Sequence, residues 1–149
     1  MPSLIIRIIA VTCLVFIGGW LGLKMAVPPG YASPLWPPAG IALSVLLLGS
    51  KRLWPGIWLG SFANNALAGI GIGGHLSFSV IASSSLIGLG STLQAFVAVL
   101  LSQRFVYQGT PQLDNPRQVL TFFLLTGPLS CWIAPCIGTA SLFLLGLLP

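Results

Sequence analysis

Five apolar runs, separated by short breaks rich in proline, glycine or polar residues, organise the chain from end to end. The first spans Ile8 to Val27, with Lys24 near its end. The second opens at Pro38 and runs to about Leu48, the third goes from Pro55 to about Ala68, the fourth from Ser77 to about Leu101, and the last from Val119 to Leu148. A helix crosses the hydrocarbon core in roughly 20 residues. The first and fourth runs meet that length, whereas the second is short and is expected to be tilted or preceded by unwound backbone. The last run is too long for one upright span and too short for two spans joined by a turn. Pro128 and Pro135 lie within it, on one helical face, and each removes a backbone hydrogen bond, so both are predicted to kink the helix. The pattern predicts an all-α fold: an integral membrane helical bundle of about five transmembrane helices, with no soluble domain.

The breaks carry the punctuation such helices need. Pro28-Pro29-Gly30-Tyr31-Ala32-Ser33 reads as a turn, and Pro34-Leu35-Trp36-Pro37-Pro38-Ala39-Gly40 as a helix entry, because proline in a first helical turn forfeits no hydrogen bond. Gly49-Ser50-Lys51-Arg52 is a tight basic turn, Trp54 an interfacial anchor, and Gly69 to Gly74 a glycine-rich close to the third run. Gln103 to Gln118 is a polar loop. The first run competes with a cleaved signal peptide, but a signal core spans about 7–15 residues and ends at an A-x-A-like site. Ala26 and Ala32 offer no such site, so a retained helix is expected.

Composition narrows the function. Charged residues make up 5% of the chain, against roughly a quarter in a soluble domain, so lipid must be its principal solvent. Six basic residues face one acid, Asp114. They are scattered singly rather than gathered in a stripe, which excludes nucleic acid as a partner and makes them topology signals. With the N-terminus in the cytoplasm, Arg7, Lys51, Arg52, Arg104 and Arg117 fall inside, and only Lys24 and His75 lie toward the outside. Five spans then carry Pro149 to the outer face. Cys13, Cys131 and Cys136 lie in apolar runs without metal-type spacing and read as small buried thiols. The apolar runs contain no Asp or Glu and no buried Lys or Arg, and the chain has no phosphate loop, metal set or nucleophile with a base. No enzyme active site, cofactor site or metal site is expected.

What remains is neutral and small. Gly56, Gly60, Asn64 and Ala68 recur at four-residue spacing, as do Ser84, Gly88 and Thr92. Such stripes allow close helix packing in lipid, and Gly56, Gly60, Gly88 and Thr92 are assigned that role. Asn64, Asn65 and Gln94 are deeper polar groups that need partners, since an unpaired amide in hydrocarbon costs several kcal/mol. They satisfy this by hydrogen bonding between helices, by lining a small-ligand pocket, or by meeting a partner protein. Trp36, Pro37, Pro38 and Gly40 are either an interfacial entry turn or unwound backbone lining the same pocket.

Two blocks carry a family resemblance. Tyr31-Ala32-Ser33-Pro34-Leu35-Trp36-Pro37-Pro38-Ala39-Gly40-Ile41-Ala42 and Gly49-Ser50-Lys51-Arg52-Leu53-Trp54-Pro55-Gly56-Ile57-Trp58-Leu59-Gly60-Ser61-Phe62 resemble the P-x-W-P-P-x-G entry and the G-x-x-x-x-W-P-G-x-x-x-G block of the bacterial type-one membrane-associated sensor (MASE) family. An asparagine soon after is matched by Asn64 or Asn65, and weaker segments by Gly90-Ser91-Thr92-Leu93-Gln94-Ala95 and Ile137-Gly138-Thr139-Ala140-Ser141-Leu142. The resemblance implies a non-enzymatic input domain in the bacterial inner membrane. It would sense an unknown small ligand or a membrane partner, pack against other transmembrane helices of itself or a partner protein, and pass the signal to a cytoplasmic histidine kinase or diguanylate cyclase output module. It also implies further helices beyond those present, so residues 1–149 are expected to be the N-terminal portion of that sensor domain. The alternative reading of the broken, proline-rich helices is the membrane subunit of a small-solute transporter.

Overall fold

The computed structural model describes residues 3–25, 36–73, 75–106 and 115–146. Among these the chain forms helices and turns, and no strand. Helix α1 (Leu4–Lys24) is capped by Ser3, whose hydroxyl accepts the Ile6 N–H at 3.5 Å. This cap starts the helix earlier than the apolar run alone predicts and places Arg7 in its first turns. At its other end the Lys24 ammonium lies 3.9 Å from the centre of the Trp20 ring, a way to keep a cation beside an apolar helix end. Helix α2 (Pro37–Ser44) begins with both prolines in its first two positions and widens into a π-helical turn, Val45–Gly49. A 3-10 turn, Lys51–Leu53, follows, with the Ser50 hydroxyl accepting the Arg52 N–H at 3.2 Å, and leads straight into α3 (Trp54–Gly73).

Helix α4 (Phe78–Phe105) is capped by Ser77, which accepts the Val80 N–H at 3.3 Å. Helix α5 (Pro116–Leu124) opens on a reciprocal cap in which Asn115 accepts the Gln118 N–H at 3.0 Å and Gln118 accepts the Asn115 N–H at 3.3 Å. Its continuation is broken. A π-helical stretch, Leu125–Leu129, contains Pro128, a turn follows over Ser130, Cys131 and Trp132, and α6 (Ile133–Leu144) then begins. Pro128 thus sits inside the break, while Pro135 stands in the first turn of α6, where its missing N–H leaves no helical bond unmade.

Among the described residues three helices are long and apolar enough to cross a membrane: α1 with 21 residues, α4 with 28, and the Pro116–Leu144 run with 29. Helix α3, at 20 residues, has the length, but its glycines and two asparagines dilute its hydropathy. Pro37–Gly49 is shorter. The glycine-rich segment expected to close the third helix instead continues it to Gly73. A Cβ on Gly69 would stand 2.7 Å from Val80, so the absent side chain is what lets α4 cross there. Pro149, Asp114 and Tyr31 lie outside the described residues.

Successive helices alternate in direction. Gly18 of α1 faces Pro37 and Ile41 of α2, while Gly56 and Gly60 of α3 meet Ile8, Val11, Thr12 and Val15 of α1. Gly90 of α4 meets Ala134 and Ile137 of α6. This alternation gathers Arg7, Lys51, Arg52, Arg104 and Arg117 at one end of the bundle and leaves Lys24 and His75 at the other, in line with the charge bias of a membrane domain. The core joins α1 to α4 through Val11, Val15, Ala42, Leu46, Leu53, Ile57, Ala95 and Val99. Large apolar side chains point outward, Phe78 and Leu144 each 81% exposed. In water each would forfeit roughly 1.5–3 kcal/mol of burial, whereas against acyl chains the exposure costs nothing.

The packing of α3 on α1 rests on missing side chains. A Cβ on Gly60 would lie 2.7 Å from the Val15 Cβ and 2.8 Å from the Thr12 carbonyl oxygen, the second being backbone that cannot rotate away. Gly60→Ala is therefore expected to destabilise the bundle by about 1–3 kcal/mol, read as a lower midpoint of unfolding in detergent. Gly40→Ala, where nothing lies within 4 Å, should leave the midpoint in place.

Candidate functional site

The two neighbouring asparagines part company. Asn64 is 2% exposed and turned toward α1. Its side-chain N–H group donates to the carbonyls of Val15 at 3.3 Å, Phe16 at 3.1 Å and, within α3, Gly60 at 3.3 Å. Its Oδ1 is buried without a hydrogen-bond partner. The amide fits against α1 only because residue 19 is glycine, since a Cβ there would collide with Asn64 Nδ2. Asn65, about a quarter-turn further round the helix, points the other way, half-buried, and donates to the Ser61 carbonyl at 2.8 Å.

Asn65 lines a cavity of about 480 Å³. Trp36, Pro38, Ala39 and Ala42 of the α2 entry form one wall. Ser61 and Asn65 of α3, with Ile57 and Val15, form a second, and Ile87, Ser91 and Gln94 of α4 a third. Cys131, Ala134, Pro135, Gly138, Thr139 and Leu142 close it from the broken last helix. The proline-rich entry explains the first wall. Pro37 and Pro38 occupy the first turn of α2 and Trp36 its cap, so the chain enters the bundle with Trp36 and Pro38 on the cavity side and Pro37 near Gly18 of α1. Gly40 is exposed and outside the cavity; its carbonyl accepts the Ser44 hydroxyl at 2.8 Å.

The polar part of the lining is a linked set of neutral groups. Ser61 Oγ donates to Ser91 Oγ at 3.2 Å, joining α3 to α4, and Ser91 Oγ donates to the Ile87 carbonyl at 3.1 Å. Gln94 reaches across to the broken helix. Its Oε1 accepts the Ala134 N–H at 3.4 Å and its Nε2 donates to Cys131 Sγ at 3.6 Å. Ala134 is the second residue of α6, where the N–H has no partner within the helix. Both Gln94 bonds are long, so α6 is held to α4 by a weak polar latch at the cavity edge.

Among the described residues no Asp, Glu, Lys, Arg or His lines the cavity. A fully charged ligand would lose its hydration with no opposite charge to compensate, while an apolar molecule with one or two hydrogen-bonding groups would meet both kinds of surface. Among the described residues no three His, Cys, Asp or Glu side chains gather as metal ligands.

Of the residues singled out in the sequence, Trp36, Pro38, Asn65, Gln94 and Pro135 meet at this cavity, and Asn64, Pro37, Gly40 and Pro128 do not line it. Gly56 and Gly60 face α1, and Gly88 faces Trp58, whose indole N–H donates to the Ser85 carbonyl at 3.2 Å. Thr92 is buried and donates to the Gly88 carbonyl at 2.9 Å. The three cysteines are free and exposed rather than buried, Cys131 at the cavity edge beside Gln94. Ser61 and Ser91 were legible from spacing alone: they stand four residues before Asn65 and three before Gln94, on the same helical faces. Cys131, Ala134 and Thr139 required the packing of α6 on α4.

The MASE1 family model matches residues 6–149. No curated protein and no solved structure matches the chain.

Proposed function

From the premise that the chain belongs to the MASE1 family, the membrane-associated sensory input domains of signalling proteins, we propose that it reports occupancy of the cavity between α2, α3, α4 and α6 by an uncharged small ligand. The response passes to a cytoplasmic output module of the histidine kinase or diguanylate cyclase type, from a multi-pass position in the bacterial inner membrane. The observation that carries this reading is the cavity itself. Its described lining is mostly apolar, carries no charge, and includes Asn65, Ser61, Ser91 and Gln94.

The broken last helix supplies a mechanism. The break over residues 125–132 is an irregular element beside the ligand, and such elements have more than one packing of similar energy. Ligand that prefers one packing by a factor of ten shifts the equilibrium by about 1.4 kcal/mol, and ligand that binds both packings equally shifts nothing. Gln94 sits where both meet, since a ligand accepting its N–H group competes with Cys131, and one donating to its oxygen competes with the Ala134 N–H.

The test is mass spectrometry of small molecules that co-purify with the protein from bacterial membranes. The wild-type protein should retain a neutral, lipophilic molecule. Ser91→Phe, which places a ring in the cavity, should lose it while keeping its helix content. Asn65→Leu should weaken retention about tenfold, the effect of one lost hydrogen bond to a ligand in a water-poor site. Equal retention by the wild type and Ser91→Phe would remove the cavity from the signalling route.

A further inference from the structure

A second concavity lies at the basic end of the bundle, on the far side of the core from the ligand cavity. It is an open groove of about 420 Å³ between the start of α1 and the π-helical end of α2. Its walls are Ala10, Val11, Ser44, Val45, Leu48 and Leu53, and among the described residues Arg7 is the one charged residue that lines it. Arg7 is exposed, and its Nη2 lies 4.0 Å from where a Cβ on Gly49 would stand, so the guanidinium rests beside the turn that carries Lys51 and Arg52. Both of those are exposed as well. No described residue supplies a carboxylate there, and the chain's single acid is Asp114.

Each feature selects for the same occupant. Arg7 is the fourth residue of a membrane-crossing helix, which puts it roughly 5 Å from the helix end, at headgroup depth. Arg7, with Lys51 and Arg52 on the adjoining turn and no carboxylate beside them among the described residues, is suited to a phosphate, which arginine binds through two parallel N–H bonds. Apart from Ser44, whose hydroxyl donates to the Gly40 carbonyl, the described lining is aliphatic, so whatever binds there has an apolar part attached to its anion. Topology explains why the cations are at this end, but it does not place one of them over an apolar groove between two helices.

We propose that the groove binds an anionic phospholipid, with its phosphate on Arg7, supported by Lys51 and Arg52, and an acyl chain along Val45, Leu48 and Leu53. Basic pockets between transmembrane helices are the usual form of such sites. The lipid would brace α1 against the α2–α3 turn, the side of the bundle opposite the last helix.

The experiment is native mass spectrometry of the purified protein titrated in detergent with phosphatidylglycerol, with phosphatidylcholine and inorganic phosphate as separate arms. Phosphatidylglycerol should bind with defined stoichiometry and phosphatidylcholine should not. Arg7→Gln should weaken binding about fivefold, the effect of one cation near a lipid headgroup. Arg104→Gln, at the same end but outside the groove, should change it by less than about twofold. Val45→Trp fills the groove without touching charge and should also weaken binding. Equal losses in the Arg7 and Arg104 variants would overturn a discrete site in favour of general attraction to the basic end. Displacement of the lipid by millimolar inorganic phosphate would assign the site to the free anion and likewise overturn the proposal. Should Arg7→Gln fail to fold, Arg7→Lys keeps the charge but not the paired N–H geometry; unchanged lipid binding in that variant and in Val45→Trp would refute the site.

Discussion

Replacing Asn64 by leucine is expected to destabilise the bundle by about 1–3 kcal/mol, and the cause is crowding rather than lost hydrogen bonds. The asparagine N–H group donates to Val15 and Phe16 of α1. Side-chain hydrogen bonds between membrane helices average only about 0.6 kcal/mol. Against that small loss stands a gain, since the substitution also removes the buried, unpartnered Oδ1. Leucine branches at the same atom as asparagine, but its two methyl groups on a tetrahedral carbon are bulkier than the planar amide, and the contact with Gly19 leaves no room for them. Asn64→Ala, which removes both amide atoms without adding bulk, should therefore be much milder. Gly19→Ala should be severe alone, because its Cβ collides with the Asn64 amide, and mild when combined with Asn64→Ala. A coupling energy of about 1–3 kcal/mol in that double-mutant cycle, measured by denaturant unfolding in detergent, is the expected result. Additive effects would mean that residue 19 and Asn64 do not meet.

Gln94→Leu should release α6 from α4. The substitution preserves bulk but leaves the Ala134 N–H without its acceptor, at a helix start where lipid offers no substitute. A buried donor left unmade costs about 1–3 kcal/mol, the largest effect expected for a change at the cavity edge. The readout is hydrogen exchange at the Ala134 amide, the proton that Gln94 holds at 3.4 Å. Exchange of that proton, followed by mass spectrometry in detergent, should accelerate about tenfold in Gln94→Leu, as an opening made 1.4 kcal/mol easier would give. Gln94→Glu keeps an acceptor oxygen for the Ala134 N–H and should exchange at close to the wild-type rate. An unchanged rate in Gln94→Leu would show that the latch does not hold the break closed.

These two amides mark the boundary between what linear sequence carries and what it does not. The apolar runs, the proline entry at Trp36-Pro37-Pro38 and the basic turn at Lys51-Arg52 determine the helices, their order and their alternation by themselves. Lipid forces this, because a backbone that cannot hydrogen-bond to solvent must close its bonds within each segment. The start of α1 at Leu4 and the extension of α3 to Gly73 were less legible. A serine cap and a close helix crossing act locally and override the average hydropathy of a window. That Asn64, Asn65 and Gln94 need partners followed from the same scarcity of water. Which partner each finds did not follow. Neighbours on one helix point about 100° apart, so α1 takes Asn64 and the cavity takes Asn65, and only the packing of α1 and α4 on opposite sides of α3 decides it. In the same way, the sequence by itself placed Pro128 and Pro135 in one long apolar run. The tertiary structure decided that the run breaks between them and that Gln94 holds the second piece, because a helix start in lipid must borrow its acceptors from a neighbour.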